Sequence, residues 1–215
     1  MSVIDLHKDV IEELAFDPSV EEKNISVGVN NGVVTLSGHV SSYAEKIAAE
    51  RAVKRVSGVQ GVAEELKIDL PSFHIRNDTD LARSAVEAIR WNASIPIDAI
   101  VVKVEHGWAT LTGKVDWQFQ REAARLAIAS IAGMLGVTNQ ITLNERVVVG
   151  DISSKIGESF RRNSEIDASQ IKVKNSGGRV TLTGPVHSWT ERDDAEMAAY
   201  SVSGVFEGDN LTTVS

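Results

Sequence analysis

The chain has 215 residues, 42% hydrophobic and 24% charged, a balance that suits a globular protein and neither a disordered nor a fibrous one. Its 30 acidic and 22 basic side chains give a net charge of −8, which argues against nucleic acid as a partner. With no cysteine, disulfides, thiolate-bound metals and thiol nucleophiles are excluded.

The first residues, Met1-Ser2-Val3-Ile4-Asp5-Leu6-His7-Lys8-Asp9, scatter charge through the stretch where a secretory signal would need an apolar core of about 7–15 residues. That pattern predicts a cytoplasmic protein. The most apolar run, Leu126 to Leu135, is short and alanine-rich beside the roughly 20 residues of a spanning helix, so any membrane contact is expected to be peripheral.

The chain opens on apolar residues at helical spacing, Leu6, Val10 and Leu14. Alternation at period two follows in Ile25-Ser26-Val27-Gly28-Val29, and Asn30-Asn31-Gly32 predicts a tight hairpin into Val34-Thr35-Leu36-Ser37. Here Val34 and Leu36 should face the core. Gly38, which ends that strand, marks a position of unusual φ or close backbone approach. Ser42-Tyr43-Ala44-Glu45 has the spacing of a capping box and starts a second helix, whose buried stripe of Ala49, Ala52 and Val53 lets it lie close to a sheet. Gly58 ends it, and Glu65-Leu66-Lys67-Ile68-Asp69 closes the unit as a third strand.

The same order then recurs twice. Gly32-Val33-Val34-Thr35-Leu36-Ser37-Gly38-His39-Val40 aligns with Gly107-Trp108-Ala109-Thr110-Leu111-Thr112-Gly113-Lys114-Val115 and with Gly178-Arg179-Val180-Thr181-Leu182-Thr183-Gly184-Pro185-Val186, at offsets of 75 and 71 residues. Those offsets carry Leu6 to Leu81 and Ile152, Leu14 to Ile89 and Phe160, and Gly58 to Gly133 and Gly204. The middle hairpin, Glu105-His106-Gly107, keeps the glycine alone, and the middle second helix starts from Asp116. The third-copy box is Ser188-Trp189-Thr190-Glu191.

The fold class predicted is α+β: three tandem αββαβ domains, each a two-layer sandwich whose three-stranded sheet is covered on one face by two helices. The domains are expected at residues 1–70, 76–145 and 147–215. Leu70-Pro71-Ser72-Phe73 is an ordinary linker. Glu145-Arg146-Val147-Val148-Val149-Gly150 is short and apolar, which predicts that the second and third units pack together or share an extended strand.

The hairpin glycine, the Val-Thr-Leu-Ser/Thr-Gly-x-Val strand and the Ser-Gly-Val or Ala-Gly-Met turn after the alanine-faced helix resemble the BON family, named for bacterial osmotically induced and nodulation proteins. The resemblance covers nearly the whole chain. The third copy departs in Gly204-Val205-Phe206-Glu207-Gly208-Asp209-Asn210-Leu211, which reaches its apolar position one residue early, so its last strand is expected to be displaced or frayed. The resemblance implies a non-enzymatic module without cofactor that binds phospholipid at a membrane surface, in a stress-associated protein. A chaperone-like or scaffold protein acting on other proteins is the alternative.

His7, His39, His74, His106 and His187 occupy unrelated positions and show no metal-binding spacing. No acidic pair recurs in all three copies, so neither a catalytic nor a metal site is expected. Gly58-Val59-Gln60-Gly61 and Gly133-Met134-Leu135-Gly136 match the GXXG loop that clamps nucleic acid in KH domains, but they lack a basic setting and read as turns. The nine recurring glycines, Gly32, Gly38, Gly58, Gly107, Gly113, Gly133, Gly178, Gly184 and Gly204, are structural. Trp117, Phe119 and Trp189, at the mouths of second helices, are the candidate lipid or partner contacts, set against a packing role at unit junctions.

Overall fold

The computed structural model describes residues 3–145 and 150–215. The first unit runs α1 (Val3–Phe16), β1 (Ile25–Asn30), β2 (Val33–Val40), α2 (Tyr43–Arg55) and β3 (Gly61–Ile68). The second repeats it as α3 (Asp78–Trp91), β4 (Ile100–Glu105), β5 (Trp108–Val115), α4 (Gln118–Ala129) and β6 (Gly136–Leu143). The third follows as α5 (Ile152–Arg162), β7 (Lys172–Ser176), β8 (Arg179–Val186), α6 (Trp189–Tyr200) and β9 (Glu207–Val214). Each sheet is mixed. Its central strand pairs antiparallel with the hairpin partner and parallel with the strand that returns after the second helix.

Two periodicities build each core. Leu6, Val10 and Leu14 of α1 are buried with Val34, Leu36 and Val40 of β2, because spacings of four in a helix and two in a strand each put side chains on one face. Leu81, Ala85 and Ile89, and Ile152, Ile156 and Phe160, repeat the helical stripe. Ala49 and Ala52 of α2 are fully buried against the sheet. Their counterparts Ala124 and Ala195 are too, whereas Ala127 and Ala198 are half-buried.

The third unit corrects one expectation. Strand β9 is neither displaced nor frayed: it pairs with β8 over eight residues, Arg179 with Glu207 through Val186 with Val214, in the register of β2 with β3. The turn at Gly204 fixes the register, and the residue types yield to it. Thr212 therefore takes the buried position held by Leu66 and Ile141, with its hydroxyl donating to Asn210 Oδ1 at 2.6 Å, while Leu211 is left 61% exposed on the open face.

The units are joined through their helical layers. Helix α2 contacts α6, Thr190 Oγ1 donates to the Lys54 carbonyl at 3.4 Å, and Arg51 of α2 lies 3.7 Å from Glu122 of α4. The buried residues of the second and third units form one continuous core, so these two units do pack together. The extended strand expected through 145–150 falls largely on residues 146–149, outside the described residues.

Candidate functional site

The recurring glycines hold the frame. Gly38, Gly113 and Gly184 have φ of 122°, 141° and 128°, and a Cβ there would run into the carbonyl oxygens of Asn24, Ala99 and Gln170, where the chain enters the first strand. The hairpins turn on pairs with positive φ, Asn31-Gly32, His106-Gly107 and Gly177-Gly178, as a two-residue type I′ turn requires. In the middle unit Gly107 does not act alone: His106 shares the left-handed conformation at φ 51°. Asp78, at the start of α3, accepts from the amides of His106 at 2.7 Å and Gly107 at 2.9 Å, and those two bonds hold its carboxyl below the usual range.

Gly58, Gly133 and Gly204 end the second helices, and the residues after them pin the turn to the unit. Val59, Met134 and Val205 are buried. The amides of Gln60, Leu135 and Phe206 donate to the carbonyls of Gly32, Gly107 and Gly178 at 2.7, 2.8 and 3.1 Å, and their side chains cover those glycines. Both GXXG matches are thereby occupied by contacts within their own unit.

A buried carboxylate ties two segments of the first and third units together. Glu45, 8% exposed, accepts from the amides of Glu21 (3.0 Å) and Ser41 (2.7 Å) and from the Ser41 hydroxyl (2.7 Å). Glu191, 4% exposed, accepts from the amides of Asp167 and His187, both at 2.7 Å, and meets His187 Nδ1 at 2.9 Å. Burial pushes both carboxyls up, but the donors outweigh it and both end below the ordinary range. At the same place in the middle unit, Gln120 Oε1 accepts from the amides of Asp116 and Trp117, both at 3.0 Å. Helix α4 accordingly begins at Gln118, with Trp117 as its N-cap, rather than from Asp116. The capping half of this staple was legible as Ser42–Glu45 and Ser188–Glu191. Its second half, reaching back 24 residues to Glu21 and Asp167, was not. The available signal was Pro96: it stands where Glu21 and Asp167 stand, has no N–H to donate, and accompanies glutamine in place of glutamate.

The three candidate aromatic residues lie in different settings. Trp189 is packed onto the core of the first unit, its ring 5.5 Å from Lys54 Nζ and 5.2 Å from the Arg192 guanidinium, which makes it part of the joint between units. Trp117 is half-buried, and Phe119, on the first turn of α4, is 52% exposed. Trp108 lies over Gly136 with its Nε1 donating to Thr138 Oγ1 at 2.8 Å, so that ring covers the open face of its own sheet. The histidines are dispersed: His7 bonds the Val27 carbonyl (3.1 Å), His39 pairs with Asp69 (2.6 Å), His74 stacks edge-on with Phe73, His106 is in the hairpin and His187 joins the Glu191 staple. Among the described residues no group of three or more His, Cys, Asp or Glu side chains is arranged to hold a metal ion.

What the units share toward solvent is an open sheet face. Thr35 and Ser37 line it in the first unit, Lys103, Thr110, Thr112 and Lys114 in the second, and Lys172, Lys174, Arg179, Thr181 and Thr183 in the third, all exposed or half-exposed. On the third face Lys172, Lys174 and Arg179 stand against Glu207 and Asp209, so this surface does not carry the chain's negative excess.

The BON domain model matches residues 5–69, 77–145 and 149–214. The chain belongs to the BON domain family. It is a protein of three tandem BON domains, related to a stress-induced protein: Osmotically-inducible protein Y of Escherichia coli (strain K12) is 28% identical over 127 residues, 57% of this chain. That match spans 63% of the relative, less than two thirds of its length. The 21 kDa hemolysin of Actinobacillus pleuropneumoniae is 30% identical over 157 residues, 70% of this chain and 73% of the relative. Among solved structures, the C-terminal domain of CdsD, the structural protein of the type III secretion system of Chlamydia trachomatis, covers 100% of both chains with 16% identity and a TM-score of 0.26. In these BON units no helix among the described residues is long and apolar enough to cross a membrane.

Proposed function

We propose that this protein is a non-catalytic, stress-associated binding protein that attaches peripherally to a phospholipid surface, on the cytoplasmic side, through its three BON units at 1–70, 76–145 and 147–215. The observation that carries the reading is the open sheet face repeated three times, which is threonine- and lysine-bearing in the second and third units although the chain as a whole has a net charge of −8. Three weak contacts on one chain combine into a stronger attachment because the second and third form at high effective concentration. Phe119, with Trp117 beside it, supplies an aromatic edge for the water–lipid boundary, whereas Trp189 serves the joint between units.

Co-sedimentation of the full chain with liposomes tests this directly. Vesicles rich in phosphatidylglycerol should carry the protein down at low salt, neutral phosphatidylcholine vesicles should carry less, and added salt should release it. Replacing Lys172 and Lys174 with glutamate should weaken the anionic binding by about thirtyfold or more, on the scale of about 1 kcal/mol for each of the two basic side chains near such a surface. Absence of binding to either vesicle at low salt, with suppression of client-protein aggregation instead, would replace this reading with that of a chaperone-like protein.

A further inference from the structure

The three units differ at one place where a sheet should be protected: the outer edge of the first strand. The residues that close each two-residue hairpin are hydrogen-bonded to one another, so alternation turns the main-chain groups of every second residue outward. In β4 these are Val104, Val102 and Ile100. An uncovered row of this kind pairs readily with another strand, and proteins guard it with charge or with a covering group. The first unit does so with His7, whose Nε2 bonds the outward carbonyl of Val27. The third unit does so with Lys172 and Lys174 on a strand shortened to five residues.

The second unit keeps only half of one guard, Lys103 at the position of Lys174. Ala82 stands at the position of His7, and Val101, 67% exposed, at the position of Lys172. Lys103 is drawn to Glu105 at 3.0 Å. Beside this edge, a shallow groove between α3 and β4 is lined by Val86, Ile97, Arg90 and Asp98, with Val86 48% and Ile97 81% exposed. The residues at the place of Ile97 in the first and third units are Glu22 and Ala168.

We propose that the β4 edge with the α3 groove is a self-association surface, and that its occupant is a second copy of this chain, joined β4 to β4 antiparallel about a two-fold axis. The patch is compatible with a copy of itself, because its charges cancel locally and its row of outward main-chain groups is self-complementary about Val102. Arg90, Asp98, Lys103 and Glu105 sum to zero, so two chains of net charge −8 meet where neither carries that excess. An antiparallel register centred on Val102 engages the whole row, with Ile100 opposite Val104 and Val101 opposite Lys103. A register centred on Lys103 is disfavoured, since it sets that ammonium against its own copy. The resulting six-stranded sheet brings the two α3 helices side by side and covers Ile97 and Val86, an isologous contact.

Sedimentation equilibrium of the full chain, from low to high micromolar concentration, reads this out. The wild-type chain should dimerise. Ile97→Glu and Val101→Lys reproduce residues that the sister units already carry and should therefore leave the fold intact; each should weaken the dimer by about tenfold or more, and Ser26→Lys on the first unit should leave it unchanged. Circular dichroism melts matched to wild type confirm folding of each variant. A wild-type chain that stays monomeric throughout the range, or a dimer indifferent to both substitutions, overturns the proposal.

Discussion

The first and third units staple their second helix with a buried glutamate, and the second does so with a half-buried glutamine. The difference follows from one main-chain donor. Where the loop before the first strand offers an amide, at Glu21 and Asp167, the acceptor is a carboxylate with both oxygens engaged. At Pro96 there is no amide, and a single amide oxygen serves Asp116, the counterpart of Ser41 and His187, together with the next amide, Trp117. A buried carboxylate is sustained only while its oxygens are bonded, so losing one donor removes the reason for the charge. The three copies therefore share a frame, and their ionisable chemistry varies with what that frame can satisfy.

The largest expected effect lies in what all three units share. Gly113→Ala places a Cβ against the Ala99 carbonyl at φ 141° and should cost about 2–4 kcal/mol, the combined scale of left-handed strain and a main-chain clash. Gly38→Ala and Gly184→Ala should cost the same within error in urea titrations. A much smaller loss in one unit would show that its first strand is held differently from the others.

Much of this frame was legible before the structure. Constant offsets through Gly38, Gly113 and Gly184 and through the helical stripes identified the units, because both signals are local. Three things were not legible. The staple spans 24 residues from Glu21 to Glu45, and a capping box looks the same whether or not its carboxylate continues to a second segment. The register of β9 is hidden because its hydrophobic pattern conflicts with the turn geometry, which sets Thr212 inward and Leu211 outward. The placement of Trp189 on the first unit depends on how units pack, which no pattern within one unit encodes.

The comparison between staples is sharpened by removing them singly. Glu191→Ala leaves the amides of Asp167 and His187 without their acceptor and should cost about 2–3 kcal/mol, as should Glu45→Ala for the amides of Glu21 and Ser41. Gln120→Ala removes only a helix-cap acceptor at a half-buried site and should cost about 1 kcal/mol in the same titrations. Equal losses at all three positions would break the distinction.

The smallest effect is the one that depends on pH. The carboxyls of Glu45 and Glu191 titrate lower in the folded chain than in the unfolded one, so their contribution is present in full above the ordinary glutamate value of 4.5 and fades as pH falls through the lowered folded values. The double substitution of both glutamates with glutamine should lower stability at neutral pH and flatten its decline below about pH 4.5. Gln120→Glu should not introduce a comparable dependence, because Pro96 supplies no donor for the second oxygen.

Peptide-resolved hydrogen exchange of the intact chain, normalised for intrinsic rates and followed from neutral pH downward, tests most directly whether one frame carries two kinds of staple. The segments around Glu21 and Ser41 and around Asp167 and His187 should lose protection as Glu45 and Glu191 take up protons, while the segment around Pro96 and Trp117 keeps its protection over the same interval. Simultaneous loss in all three units, or earliest loss in the middle one, would contradict this account of how the frame and its charges are coupled.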